Sequence, residues 1–409
     1  MASVSDYPVR RNALLLAAGL VCLSGMVQLV VAVATVTLVE VTGIEGILGL
    51  GPAIFLGAGG LAALPAGRLM DRVGRMPVIR AGFAAGIAGP ALTALGCELE
   101  SAVLVVGGFA LCGAASGIVL LSRTAAAEMF PPLRRARGVS LVLFGAVFGA
   151  LMGPLVFGPL FAGRHLDSES LVLPWLAAGG VMVVGLAISF AVRPDPSTIG
   201  GAHGEGEPLQ RAAPLAQIVR RRGVPTALLA AISSFAVMVG VMNLSGYVAV
   251  GHGHHQSDVF NIISAHIVGM YGLVLVVGGL VDRIGRRPAL VGGLLLMAVS
   301  NVGLVWLDGI PGMSLSLFGL GLGWNLSFVA ATTELVSLAA PVERGRRTGL
   351  NDLASSLIGA ALALLGGVVY SAFGTATLAV AATALAAAPA LWILVQGRSS
   401  SRRPLAEAT

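Results

Sequence analysis

The chain has 409 residues, of which 56% are apolar and only 11% charged, with a formal net charge of +6. Soluble globular proteins carry about 25% charged residues, so the balance argues against a cytosolic or secreted enzyme. The apolar runs are continuous rather than alternating, which excludes a β-barrel.

A hydrocarbon core ~30 Å thick takes roughly 20 apolar residues to cross as a helix, so twelve crossings use roughly 240 residues. What is left suffices for caps, loops and tails but not for a large extramembrane domain. In chain order, Gly, Pro and charge clusters delimit runs at 12–37, 46–66, 77–96, 102–122, 138–162 and 171–192. A second set follows at 224–250, 259–280, 288–306, 311–333, 348–371 and 374–396. Each is long and ends in charge, which marks helices rather than buried strands. An all-α polytopic membrane protein with twelve transmembrane helices is predicted. Arg10 and Arg11 precede a full-length apolar run with no small-residue cleavage site, so a cleavable signal peptide is not expected.

All 25 basic residues are arginine, a usage that a GC-rich genome explains. With the N-terminus in the cytoplasm, 24 arginines fall on the inner face and only Arg164 outside. The outer loops hold eight acids (Glu40, Glu45, Glu98, Glu100, Asp167, Glu169, Asp258 and Asp308). The outer face therefore carries −7 and the inner face +13. The positive-inside rule then predicts an inner (plasma) membrane protein with both termini cytoplasmic, the tail with Arg398, Arg402 and Arg403 included. Short basic clusters between apolar runs are loop charges, so no nucleic-acid partner is expected. Cys22, Cys97 and Cys112 form no C-x-x-C pair and suggest neither a disulfide framework nor a zinc site. The polar, Gly- and Pro-rich stretch 193–223 reads as a cytoplasmic linker between two six-helix halves, 1–192 and 224–409.

One motif occurs twice. Gly67-Arg-Leu-Met-Asp71-Arg72-Val-Gly74-Arg75-Met-Pro77 follows the second run, and Gly278-Gly-Leu-Val-Asp282-Arg283-Ile-Gly285-Arg286-Arg-Pro288 follows the eighth. The copies lie 211 residues apart and agree at seven of eleven positions, in equivalent loops, so the chain is read as an internal duplication. The glycines allow a tight turn and close helix contact, and the Asp can face a neighbouring helix N-terminus. A plain hairpin obeying the positive-inside rule accounts for the arginines but not for the fixed spacing.

The G-x-L-x-D-R-x-G-R pattern, the helix count, the duplication and the linker together resemble the major facilitator superfamily over essentially the whole chain. The resemblance implies two pseudo-symmetric six-helix halves that work by alternating access. It also implies that Asp71 and Asp282 lock the halves together on the cytoplasmic side. Glu128-Met-Phe-Pro-Pro with Arg134, Arg135 and Arg137, and Pro341-Val-Glu343-Arg344-Gly with Arg346 and Arg347, repeat at the end of the fourth helix of each half. Glu128 and Glu334 are expected to pair with motif arginines when the inner side is closed. In the fifth helix, Gly145, Gly149, Gly153-Pro154 and Gly158-Pro159 look like a degenerate Gly-Pro motif of drug/proton antiporters, and serve equally for close packing. The antiporters' mid-membrane arginine in the fourth helix is absent, its place being taken by Phe109.

Intramembrane polar groups are candidates for binding because their burial in lipid is costly. Those found here are Gln28, Asn243, His266 and Asn325, on helices one, seven, eight and ten. The resemblance places helices one, four, seven and ten around the central cavity; bracing between packed helices is the alternative use. His266 can carry a coupling proton because imidazole titrates near physiological pH. His266 with Met270, the pair Met238 and Met242, and loop histidines His252, His254 and His255 could instead serve a metal ion, although Met is also an ordinary filler. Trp324 beside Asn325 offers a flat wall for a planar substrate or simple packing.

The expected function is secondary active transport, with proton-coupled efflux of a small organic compound leading and metabolite uptake or metal transport as alternatives. A polytopic membrane enzyme lacks the clustered side chains it needs, and a non-transporting sensor lacks an output domain. No G-x4-G-K-[ST] loop is present, so neither ATP use nor any cofactor is implied. The partners expected are the lipid bilayer, a small-molecule substrate and protons, for a chain that acts as a monomer.

Overall fold

The structure, a computed structural model, describes residues 7–43, 50–152, 171–201, 213–251, 262 and 265–401. Glu45, Gly153, Pro154, Gly158, Pro159, Arg164, Asp167, Glu169, the 252–255 histidines, Asp258, Arg402 and Arg403 lie outside the described residues. The side chains of Asn243 and Arg398 do so too. In lipid a chain must satisfy its backbone polar groups internally, and continuous apolar runs do so as helices. Six come from the first half of the sequence: α1 (Val9–Thr42), α2 (Leu50–Val73), α3 (Arg75–Glu98), α4 (Ala102–Met129), α5 (Arg135–Met152) and α6 (Val172–Ser189).

The second half supplies α7 (Val224–Gly251), α8, α9 (Arg286–Trp306) and α10 (Ile310–Ser337). α8 is a bent pair, Ala265–Gly272 and Val274–Ile284, meeting at 48°. The helical stretch Arg344–Ser401 is broken at Gly374, whose φ of 77° no helix accommodates, into α11 (344–373) and α12 (375–401). Among the described residues, ten helices pass a length and apolarity test for spanning, and α8 makes eleven if its bent pair is one span. With the α11 arm, the described residues form twelve long helical elements.

The duplicated motif folds the same way twice. Gly74 and Gly285 take φ of 96° and 89°, a left-handed conformation that favours glycine, and each ends one helix and starts the next within a single residue. The first glycine of each motif has a different use. A methyl group on Gly67 would overlap the carbonyl oxygen of Gly345 on α11, and one on Gly278 would overlap Ser140 on α5. Each motif thus packs its helix against the other half, α2 on α11 and α8 on α5. The glycines Gly145 and Gly149 of α5 abut the backbone carbonyls of Ala17 and Val21, so both serve close packing on α1.

The segment after α6 holds the first half together from below. Asn12 on α1 donates to the carbonyl of Arg193 at 3.1 Å. The N-cap position of α3 is Gly74, which has no side chain to cap with, and Asp195 supplies the missing acceptor. Its carboxylate accepts from the backbone N–H of Arg75 at 3.1 Å and of Met76 at 2.8 Å, and from both donors of Ser197. Burial opposes ionisation of Asp195, but these bonds outweigh it and hold the carboxyl below its usual range. Replacing Asp195 by alanine is therefore expected to cost about 1 kcal/mol, as loss of a helix cap does. Because the folded-state pKa is lowered, this stabilisation is present above the unfolded value near ~3.9 and fades as pH falls through the folded one. Thermal melts of both proteins should converge at acidic pH.

Candidate functional site

Two charge clusters close the arginine-rich end of the bundle. Asp71, in the last turn of α2, reaches across the halves to the N-terminus of α11. Its oxygens accept from the backbone N–H of Gly345 at 2.9 Å and of Arg346 at 2.8 Å, where the helix dipole favours negative charge. Arg75 then binds Asp71 at 2.8 Å and grips Glu128 with two parallel bonds of 3.0 and 2.8 Å. All three side chains are almost fully buried.

The second copy repeats this in looser form. Asp282 accepts from the backbone N–H of Arg137 at 3.3 Å, with the Arg137 guanidinium 3.7 Å away. Arg286 meets Glu334 at 3.3 Å and the carbonyl of Pro132 in the other half at 3.1 Å. Here the Arg286–Glu334 pair is partly exposed, Arg286 being 28% exposed against 3% for Arg75. Glu343, just before α11, anchors the segment that leads into α7. It pairs with Arg221 and accepts from the backbone N–H of Ala213 at 3.0 Å. Although burial pushes the other way, these partners lower its pKa from the ordinary carboxylate value.

Above this closed end lies a cavity of about 250 Å³ between the halves. Phe55 of α2, Phe235 of α7, Tyr271 of α8, and Trp324 and Phe328 of α10 give it aromatic walls. Trp324 stacks on Phe328 with centroids 4.7 Å apart, and Tyr271 meets Trp324 edge-on at 6.0 Å. Asn351, Asp352, Ser355 and Ser356 of α11 supply much of the polar lining. Asp352 is paired with Arg123 of α4 at 2.5 Å, a bond between the two halves. Arg123 is fully buried beneath the Phe328 ring, 4.7 Å from its centroid, and also donates to the Leu120 carbonyl at 3.2 Å.

Of the residues singled out in the sequence, Trp324, Met238 and Met270 line the cavity, whereas Gln28, His266 and Asn325 do not. His266 is buried against α10, its Nδ1 at 2.8 Å from the Leu317 carbonyl oxygen. A π-helical turn over Val268–Gly272 carries Met270 and Tyr271, both of which line the cavity, whereas His266 precedes the turn and does not. Among the described residues no group of three His, Cys, Asp or Glu side chains could hold a metal ion. Phe109 is a core residue 5.3 Å from Trp175.

Arg123 and Asp352 are not among the residues singled out in the sequence. Arg123 directly follows the run 102–122, eleven residues before the cluster that begins at Arg134, Asp352 lies inside the run 348–371, and the two have opposite sign in opposite halves. That offset was the signal available.

Comparison with known proteins gives a consistent set of likenesses. A family profile described as the Major Facilitator Superfamily matches residues 14–324 and 255–409. The uncharacterised MFS-type transporter YdeG of Bacillus subtilis (strain 168) is 30% identical over 350 residues, spanning 81% of this chain and 79% of its own. The riboflavin transporter RfnT of Brucella anthropi is 28% identical over 300 residues, covering 71% of this chain and 72% of its own. The solved structure of the proton:xylose symporter XylE shares the fold, with a TM-score of 0.76 at 14% identity over 96% of each chain.

Proposed function

This chain belongs to the Major Facilitator Superfamily of membrane transporters, and from that premise we propose that it carries a planar aromatic solute by alternating access. One observation carries the reading: a mid-membrane cavity between the halves has five aromatic side chains from four helices, two of them stacked. Such walls bind a flat ring through dispersion and offset stacking. The likeness to a riboflavin transporter supports a flat heteroaromatic or related substrate.

In this reading the arginine-rich end faces the cytoplasm of a bacterial inner membrane, as the positive-inside rule requires. Asp71, Arg75, Glu128 and their counterparts Asp282, Arg286 and Glu334 are the latch that holds this end shut. The central segment 193–223 tethers the halves and docks through Asp195 and Glu343. We favour uptake over efflux because Phe109 stands where the resemblance to drug/proton antiporters would place an arginine. The one carboxylate among the described lining residues is Asp352, whereas His266 lies against α10 and does not line the cavity.

The test is ligand-induced thermal stabilisation of the purified protein, followed by flux into liposomes under a pH gradient. Riboflavin and one- and two-ring aromatic compounds should stabilise it, while xylose should not. Replacing Trp324 by alanine is expected to weaken aromatic binding by about tenfold, in line with ~1–3 kcal/mol for stacking on an aromatic side chain. Phenylalanine at the same position should retain most of the affinity. Stabilisation by xylose alone, or an alanine variant that binds aromatics normally, would falsify the reading.

A further inference from the structure

One wall of the cavity differs from the others. α11 presents Asn351, Asp352 and Ser355 to it, and each is less than a tenth exposed. The Asn351 amide donates to Asp352 Oδ1 at 3.2 Å, and Arg123 donates to the same oxygen. Asn351 Oδ1, Asp352 Oδ2 and Ser355 Oγ are left without a partner among the described residues. The first two are pure acceptors and the hydroxyl can also accept. Buried polar atoms are costly when unpaired, so three of them within five residues of one helix, on one cavity, mark a place built for a ligand.

The charge balance narrows the ligand further. Arg123 is committed to Thr332, the Leu120 carbonyl and Asp352. A solute carboxylate would have to pull Arg123 from Asp352 and then face the remaining acceptors. A solute ammonium would add a positive charge to a pair that is already neutral. Both cost more than they return in a low-dielectric site. A neutral O–H or N–H donor meets the acceptors at neither cost, and the ionised Asp352 makes that bond charge-assisted.

We infer that the Asn351–Asp352–Ser355 ledge selects aromatic solutes that carry neutral hydrogen-bond donors, such as phenolic O–H or imide N–H groups. This deepens the aromatic reading above and rests on it. The ring lies against Trp324 and Phe328, and its donor edge faces α11.

The experiment measures affinities of the purified full chain for four naphthalene probes: the dihydroxy compound, its dimethoxy ether, naphthoate and naphthylmethylamine. The dihydroxy probe should bind roughly tenfold or more tighter than the ether, as expected for a hydrogen bond to a charged group. In a variant with Asn351→Ala and Ser355→Ala this preference should shrink severalfold, with a cooperative thermal melt of the purified variant as the sign of an intact fold. Equal binding of dihydroxy and dimethoxy probes overturns the donor inference and leaves the aromatic reading standing. Tightest binding of naphthoate or of the amine overturns it in favour of a charged solute. If no naphthalene binds, both readings fall together.

Discussion

Replacing Gly67 by valine is expected to abolish transport while leaving the protein inserted and folded. At this point α2 and α11 touch backbone to backbone: a methyl group on Gly67 would overlap the Gly345 carbonyl, and one on Gly349 would overlap that of Ala63. The same approach brings the N–H groups of Gly345 and Arg346 within reach of Asp71. Overpacking a tight contact costs about 1–3 kcal/mol, and the upper end of that range shifts a two-state population roughly 100-fold. The cost falls only on the conformation with the arginine-rich end closed, because that is where the two backbones meet. Transport should therefore drop by about two orders of magnitude. A cysteine placed at Ser356, in a background lacking Cys22, Cys97 and Cys112, should at the same time become reactive from the arginine-rich side. Normal flux with unchanged labelling would show that this contact plays no part in the cycle.

The second large effect is expected at Arg123. Its guanidinium is wholly buried and neutralises Asp352, which is itself nearly so. Removing one partner of such a pair leaves an uncompensated charge and costs about 3–5 kcal/mol. Arg123→Ala should thus lower the melting temperature sharply. Asp352→Asn, which strands the arginine, should also destabilise. The double replacement Arg123→Met with Asp352→Leu removes both charges and should recover most of the stability, because a buried pair often contributes little net against an apolar substitute. Transport should be lost in all three. A double variant as unstable as the sum of the singles would mean that the two residues act independently.

Much of the fold is legible in the residues. The repeat around Asp71 and Asp282 locates two equivalent turns, and Gly74 and Gly285 adopt the positive φ that such turns require. The arginines of that repeat meet Glu128 and Glu334 because equivalent loops of a duplicated chain face equivalent helix ends. The cavity is far harder to read. In an apolar run, Phe55, Phe235 and Tyr271 carry no mark that separates a binding wall from ordinary packing. Which of them faces inward depends on helix rotation. In α8 that rotation is altered by the π-helical turn, which sends Met270 and Tyr271 to the cavity and leaves His266 against α10. Nothing in the local sequence distinguishes that turn from a regular one.

The unequal exposure of the two duplicated clusters has a kinetic meaning. Charges in water are screened by dissolved ions over about 8 Å at physiological ionic strength, whereas buried ones are shielded far less. Raising the salt concentration would loosen Arg286 and Glu334 and barely touch Arg75 and Glu128. The bundle would then part like a zip from the α5–α8 seam, with α2–α11 the last to let go. Two copies of one ancestral motif have come to hold different places in the order of opening.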